Sequence, residues 1–407
     1  MAIDPAGVID LLEVGEAQAR ILAAMSALPT ETVPLQAALG RVLAADIVAA
    51  RDQPPAAVSA MDGYAVRAAD TTAESWLEVV GEVAAGQSPA FSVEPGKAAR
   101  IFTGGLLPDG TDAILIQEDA VAEGGRVLAK EAVSPGLFVR ERGLDYKAGW
   151  TGLRAGQRLD PRHIGLAASL GAGWVEVRRK PRIGILATGN ELVLPGRVPE
   201  PHQISSSNSF TLAAMIESWG GQAVDLGIAL DEPAALAARL DAAQGLDLLV
   251  TSGGASVGEH DLVQSVAGER GLELDFWKIR MRPGKPLIFG RIGLVPLLGL
   301  PGNPVSAAVC GIVFLRGAIR RLLGRDPTLP SGMARLAEPL GRGGERQEYL
   351  RAERDEEGAV RATGRQDSSM FAALATADVL LVRPPREGPL ERGATVTVID
   401  LATVLRD

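Results

Sequence analysis

Two apolar runs of similar build constrain this chain more than anything else in it. One is Ile183 to Ala187 within Pro181-Arg-Ile-Gly-Ile-Leu-Ala-Thr-Gly-Asn-Glu-Leu192. The other is Leu246 to Val250, which runs into Thr251-Ser-Gly-Gly-Ala-Ser-Val-Gly-Glu-His-Asp261. Each stops at a turn rich in Gly and Thr or Ser, and a carboxylate follows. A buried parallel strand delivers such a loop to the carboxyl edge of an open sheet, where α/β proteins bind ligands. The neighbouring segments alternate in kind. Ser207 or Asn208 caps a helix to Trp219, and Ala223 to Leu230 reads as a strand. Asp231-Glu-Pro233 opens a helix, Asp261 suits the cap of a helix over 262–269, and a strand follows over Leu272 to Ile279. A hairpin-like pair, Leu287 to Phe289 and Val295 to Leu298, precedes a long apolar helix from Pro304 to Leu323. The pattern over 181–326 is a central doubly wound three-layer α/β domain.

At 407 residues the chain exceeds one ordinary core, so two to four domains are expected. The spacing predicts helices over 5–28 and over Leu35 to Leu43, then a strand over Ala45 to Ala49. Pro54-Pro55 breaks any helix. From 51 to 146 short strands (Trp76 to Val83, Ala98 to Phe102, Ala113 to Gln117, Val127 to Ala129) alternate with Gly and Pro turns. This predicts an inserted β-rich domain. Pro161 to Leu170 reads as a helix capped by Asp160, packing back on the amino-terminal helix. Residues 1–50 and 147–180 would then form one discontinuous, elongated N-terminal domain. Residues 327–407 return to β patterning and predict a small barrel-like β domain.

A net charge of −9 argues against a nucleic-acid or acidic-membrane surface. No stretch approaches the ~18 apolar residues of a membrane span, and the acidic amino terminus is unlike a signal peptide. A single cysteine, Cys310, forbids an internal disulfide and a cysteine-based zinc site, and fits the cytoplasm.

The loops carry the chemistry. Ser252, Gly253, Gly254, Ser256 and Gly258 belong to a Gly-rich turn able to offer backbone N–H groups to an anion. Lys278, Arg282 and Lys285 follow on a loop stiffened by Pro283 and Pro286. Asp62, Asp145, Glu191, Asp231 and Asp261 all fall at loop tips or strand ends. If they converge, their repulsion calls for a divalent cation with hard oxygen ligands, Mg²⁺. Asp231 and Asp261 equally suit helix caps, and Asp62 of Asp62-Gly63 suits a turn. No His spacing resembles a zinc motif, and no Ser/His/Asp order or Walker lysine is present.

Seven stretches together resemble the molybdopterin molybdenumtransferase family, the MoeA and gephyrin E-domain type. They are Ser59-Ala-Met-Asp-Gly-Tyr-Ala65, Arg100-Ile-Phe-Thr-Gly104, Gly143-Leu-Asp145 and Thr188-Gly-Asn-Glu-Leu192, continued by Ser252 to Gly258, Arg282-Pro-Gly-Lys-Pro286 and Gly299-Leu-Pro-Gly-Asn-Pro-Val-Ser306. The resemblance implies a four-part fold of the kind just outlined. The implied reaction inserts molybdate into adenylylated molybdopterin with Mg²⁺-dependent release of AMP, giving molybdenum cofactor. It implies a homodimer with a shared active site, and as further partners the molybdopterin adenylyltransferase and molybdoenzyme acceptors. It assigns catalytic roles to Asp62, Thr103, Asp145, Glu191, Asp231 and Asp261, with Asp62, Glu191 and Asp261 as metal ligands. Substrate binding falls to the Gly-rich turn, to Lys278, Arg282 and Lys285, to Pro301, Asn303 and Pro304, and to Arg351 and Ser368. Arg282 stands where lysine is common, Leu144 where a polar residue is usual, and Asn190 where Asp is frequent. Rival readings are the related single-domain adenylyltransferase, which leaves Met61-Asp-Gly-Tyr64 and the carboxy-terminal β region unexplained, a cofactor carrier, against which the retained acids argue, and a scaffold, for which a long linker or fused partner domain would be expected.

Overall fold

The computed structural model describes residues 11–253 and 262–406. The chain divides into two compact units, one holding Met1–Thr32, Gly40–Ala44 and Glu176–Asp407, the other Val33–Leu39 and Ala45–Val175. The amino-terminal helix α1 spans Val14–Ala23 and buries Val14, Ala17 and Ile21. The expected helix over Leu35 to Leu43 is only a 3-10 turn, Leu35–Ala37. Gly40, at φ 74°, ends it, and Leu43 bridges Val177 as extended chain.

The second unit is organised by a six-stranded sheet of β1 (Gly63–Val66), β2 (Ser75–Val83), β3 (Lys97–Ile101), β4 (Ala113–Ile116), β5 (Ala120–Glu123) and β6 (Arg126–Ala129). The order is β4-β1-β3-β2-β6-β5. Only β2 and β3 run parallel. β1 begins at Gly63 and is buried along its length, so Asp62 is the last residue before a wholly enclosed strand. The Asp62-Gly63 pair predicts a loop tip there but not the strand that follows. Helix α2 (Pro161–Ser169) carries a reciprocal cap: the Asp160 carboxylate accepts from the N–H of Arg162 and His163, and the His163 ring accepts from the N–H of Asp160. The Arg162 guanidinium and those N–H groups hold the Asp160 carboxyl at a pKa of about 2.

In the first unit, β7 (Arg182–Thr188), β8 (Gln222–Ala229), β9 (Leu248–Ser252), β10 (Leu272–Trp277), β11 (Ile288–Ile292) and β12 (Val295–Leu300) form one sheet in the order β8-β7-β9-β12-β11-β10. β8, β7, β9 and β12 are parallel, while β11 and β10 run antiparallel at one edge. β9 starts at Leu248, two residues later than expected. Asp247 precedes it, with its carboxylate gripped by Arg179 at 2.7 and 3.0 Å and by the N–H of Arg182 at 2.7 Å, and with its own N–H donating to the Arg182 carbonyl at 2.9 Å. All five residues of β9 are buried.

Helices α3 (Asn208–Ser218), α4 (Pro233–Asp241) and α5 (Leu262–Glu269) connect the strands. α6 (Pro304–Cys310) continues through a π-type stretch, Gly311–Leu315, into α7 (Arg316–Leu322), the expected long apolar helix. One core joins α1, the inner faces of α3, α6 and α7 and the sheet, with Trp219, Phe314, Ile21 and Val250 among its buried members. The indole N–H of Trp219 donates to the Val404 carbonyl at 2.6 Å.

The carboxy-terminal strands are β13 (Gly332–Arg335), β14 (Gln347–Arg354), β15 (Val360–Ala362), β16 (Val379–Arg383) and β17 (Thr395–Asp400). Their sheet is completed by Met281–Arg282, which pairs parallel to β14 through Gln347 and Glu348. No helix among the described residues is long and apolar enough to cross a membrane. The architecture is multidomain α/β plus β, with a doubly wound sheet at its centre.

Candidate active site

A cleft of about 1020 Å³ opens at the carboxyl edge of the parallel strands. Its walls include Thr188, Gly189 and Glu191 after β7, Asp231 after β8, Ser252 and Gly253 at the end of β9, and Pro301, Gly302, Asn303 and Pro304 after β12. Ser206, Ser207 and Asn208 at the start of α3 close one side, and Ser369 and Phe371 enter from the carboxy-terminal region.

Backbone demands explain the sequence at the cleft floor. Gly253 has φ 94°, and a Cβ there would lie 2.4 Å from the Thr188 carbonyl oxygen. Gly189 has φ 143°, and a Cβ there would lie 2.5 Å from a carboxylate oxygen of Glu191, whose side chain folds over this glycine. The adjacent strands are thus held close by absent side chains. Gly253→Ala is expected to destabilise the fold by about 1–3 kcal/mol, and chemical denaturation measures it.

Polar groups are laced across the loops. The Asn190 Oδ1 accepts from the Asp231 N–H at 3.0 Å, which ties the loop bearing Glu191 to the loop bearing Asp231. Asp231 is therefore not a helix cap: the cap position of α4 is Glu232, and no side chain caps it. Asn208 Nδ2 donates to Ser252 Oγ and to the Gly302 carbonyl, both at 2.7 Å. Asn303 Nδ2 donates to Ser368 Oγ at 2.8 Å, and the Val305 N–H donates to the Ser368 carbonyl at 3.1 Å.

The basic hairpin adjoins the cleft through Pro286, which lines it, while Lys278, Arg282 and Lys285 are not among the lining residues. Lys278 is buried with φ 75°, and its Nζ sits 3.9 Å from the Trp277 ring centroid. Burial, with the charge of Lys285, lowers its pKa from the ordinary lysine value. Arg282 Nη1 meets the buried Glu348 carboxylate at 3.3 Å, and Arg383 approaches the same group at 3.8 Å. Cys310 is fully buried, and burial pushes its thiol pKa up, away from any role as a nucleophile.

Arg351 is not an open anion site. It is 1% exposed, and its guanidinium donates to Gln366 Oε1 and to the carbonyls of Asp367 and Arg365 at 3.3, 2.8 and 3.0 Å. It fastens the loop that carries Ser368 and Ser369.

Asp62, Thr103 and Asp145 lie in the other unit. Asp62 Oδ1 accepts from the Thr103 N–H at 2.7 Å and its hydroxyl at 2.8 Å. Those two donors, with Arg100 nearby, hold the Asp62 carboxyl below its ordinary pKa. Arg100 packs over the rings of Tyr64 and Phe102 and donates to the Gly63 carbonyl at 3.0 Å. Asp145 lines a separate cavity of about 540 Å³ with Gln53, Gly104, Arg140 and Leu144. Gly254, Ser256, Gly258 and Asp261 lie outside the described residues.

Three family profiles match the chain in succession: a MoeA N-terminal region (domain I and II) over residues 12–171, a probable molybdopterin binding domain over 184–321, and a MoeA C-terminal region (domain IV) over 333–401. The chain belongs to the MoeA family. A molybdopterin molybdenumtransferase of Nostoc sp. is 36% identical, with 91% of this chain and 89% of that protein covered. One of Haemophilus influenzae is also 36% identical, with 91% and 93% covered. A crystal structure of a molybdopterin biosynthesis MoeA protein from Pyrococcus horikosii superposes with a TM-score of 0.84 at 32% identity, covering 96% of this chain and 99% of that one. The cleft holds one further residue, Asn208, that the sequence pattern presents only as a helix cap. Asn208 looks like an ordinary start signal in sequence, yet its side chain bonds across the cleft, and no cap hydrogen bond forms from Ser207.

Proposed function

We propose that this chain is a molybdopterin molybdenumtransferase that inserts molybdate into adenylylated molybdopterin and releases AMP. The observation that carries the reading is the cleft at the parallel edge, where Glu191, Asp231, Ser252 and Gly253 meet the Pro301–Pro304 loop, in a chain matched along nearly its whole length by this family. Its domains are residues 1–50 with 147–180, the inserted 51–146, the molybdopterin-binding 181–326 and the carboxy-terminal 327–407. Cytoplasmic location fits a chain with one buried thiol.

The donor set suits Mg²⁺. Glu191 and Asp231 bring two carboxylates to the cleft beside hydroxyl oxygens, which is the hard-oxygen environment this ion takes when substrate phosphates complete its shell. Glu191, Asp261 and Asp62 of the partner subunit are assigned as its ligands. When bound, the cation supplies charge neutralisation between phosphate and molybdate and stabilises the departing phosphate. Lys278, Arg282 and Lys285 draw the anionic substrates to the cleft rim. The Gly253 turn brings backbone close to the phosphates, and Ser252 bonds them. Asn303 and Ser368 hold the far wall. Thr103 fixes the Asp62 carboxylate, and Asp145 completes the face that a second copy presents, so the active site is shared in a homodimer. Adenylyltransferase and molybdoenzyme acceptors would exchange substrate and product with it.

Purified protein given adenylylated molybdopterin, molybdate and Mg²⁺ is expected to release AMP and form molybdenum cofactor. Folded protein that binds the pterin nucleotide and releases no AMP would instead be a carrier.

A further inference from the structure

Asn208 stands at the first position of α3 and touches two other segments of the cleft. Its Nδ2 lies 2.7 Å from the Gly302 carbonyl and 2.7 Å from Ser252 Oγ. A carbonyl only accepts, so the Gly302 contact fixes which end of the amide faces these atoms. Nitrogen of an amide only donates. Ser252 Oγ therefore accepts, and its own proton is left to point elsewhere. Ser252 is 2% exposed, lines the cleft, and its hydroxyl proton has no acceptor among the described residues. An O–H whose oxygen already accepts a bond is polarised and becomes a better donor. We infer that Asn208 is a positioning residue that orients the Ser252 hydroxyl proton into the cleft, towards an anionic oxygen of the substrate.

The inference rests on the proposed function for the nature of that anion and deepens it. It turns Ser252 from a generic member of a Gly-rich turn into a directed donor. Asn208 acts through Ser252 and, by its second bond, keeps the Gly302 loop against the strand end. The two contributions separate experimentally. Losing the loop tie costs the same whatever stands at 252. Losing the orientation costs something only when a hydroxyl is there to be oriented.

The test is a double-mutant cycle on KM for adenylylated molybdopterin and on kcat for AMP release, with thermal melts for each variant. Asn208→Ala is expected to raise KM about tenfold in the wild-type background, the usual scale for weakening a hydrogen bond to a charged group. It should raise KM less than about twofold in a Ser252→Ala background. Ser252→Thr keeps the hydroxyl and should restore most of the sensitivity to Asn208→Ala. Equal factors in the Ser and Ala backgrounds overturn the inference and leave Asn208 as a loop tie. If Asn208→Ala does not fold, Ser252→Ala alone decides, because wild-type KM in that variant shows that no proton of Ser252 meets substrate. Wild-type protein that neither binds nor converts the nucleotide fails at an earlier step and removes the functional reading along with this one.

Discussion

Asp62→Asn is expected to lower AMP release by about 100-fold while the protein stays folded, the scale for removing one preorganised electrostatic group from a reacting site. The substitution is chosen for its shape. Asn keeps an oxygen to accept from the N–H and hydroxyl of Thr103, so the loop geometry at 2.7 and 2.8 Å can persist. What disappears is the charge. Thr103 keeps the Asp62 carboxyl below its usual pKa, so the group is ionised throughout the neutral range. Activity lost through Asp62 protonation should therefore appear only on the acid side, below the ordinary carboxylate range. An unchanged kcat in Asp62→Asn, with wild-type melting, would remove this carboxylate from the reaction. Mixing Asp62→Asn with Glu191→Gln protein tests the shared site: reassorted dimers with one intact site should regain turnover, whereas neither parent does.

Arg351→Ala is expected to destabilise the protein by about 3 kcal/mol and to loosen the loop that carries Ser368. The carbonyls of Arg365 and Asp367 lose their partner at once, and Gln366 Oε1 keeps only the N–H of residue 351. Arg351→Lys separates this reading from an anion-binding role. Lysine keeps the positive charge but cannot serve three fixed acceptors with one compact ammonium. If Arg351 fastens the loop, Arg351→Lys melts early in the absence of any ligand. Should it melt like wild type and lose only molybdate dependence, the arginine would be a substrate contact. Urea denaturation with a tryptophan probe and molybdate titration of AMP release give the two readouts.

The parallel sheet was legible chiefly through β7 and β9, which are buried almost throughout and run into glycine turns, a pattern few other local structures produce. β7, β8 and β9 fall where the periodicity puts them, apart from the start of β9, which comes after Asp247, a charged residue whose carboxylate bonds Arg179. The acids at strand ends were legible for the same reason. Local sequence says nothing of a side chain's second partner, and that is where reading stopped. Asp231 follows the pattern of a cap but lies one residue too early, and its N–H answers to Asn190, forty-one residues away. Asn208 fits a helix start so well that its bonds to Ser252 and Gly302 leave no local trace. β1 was hidden because Gly63-Tyr64-Ala65-Val66 is short and follows an Asp-Gly turn, so its enclosure by two neighbouring strands is a property of the sheet. Arg351 occupies an inward position of β14, where pattern alone expects an apolar residue. Its place is set by carbonyls that only the folded loop supplies.

Met281–Arg282 leaves the α/β sheet as a loop and returns as an edge of the carboxy-terminal one, paired to Gln347 and Glu348. Lys278 and Lys285 flank that pairing, each three residues from it in sequence. A fragment cut after residue 326 would sever this pairing, strip Arg282 of Glu348 and deprive Trp219 of the Val404 carbonyl. The terminal β region accordingly serves both the Met281–Arg282 pairing and the cleft wall, and shortening the protein from that end would remove Ser369 and Phe371 together with the partners of Met281–Arg282.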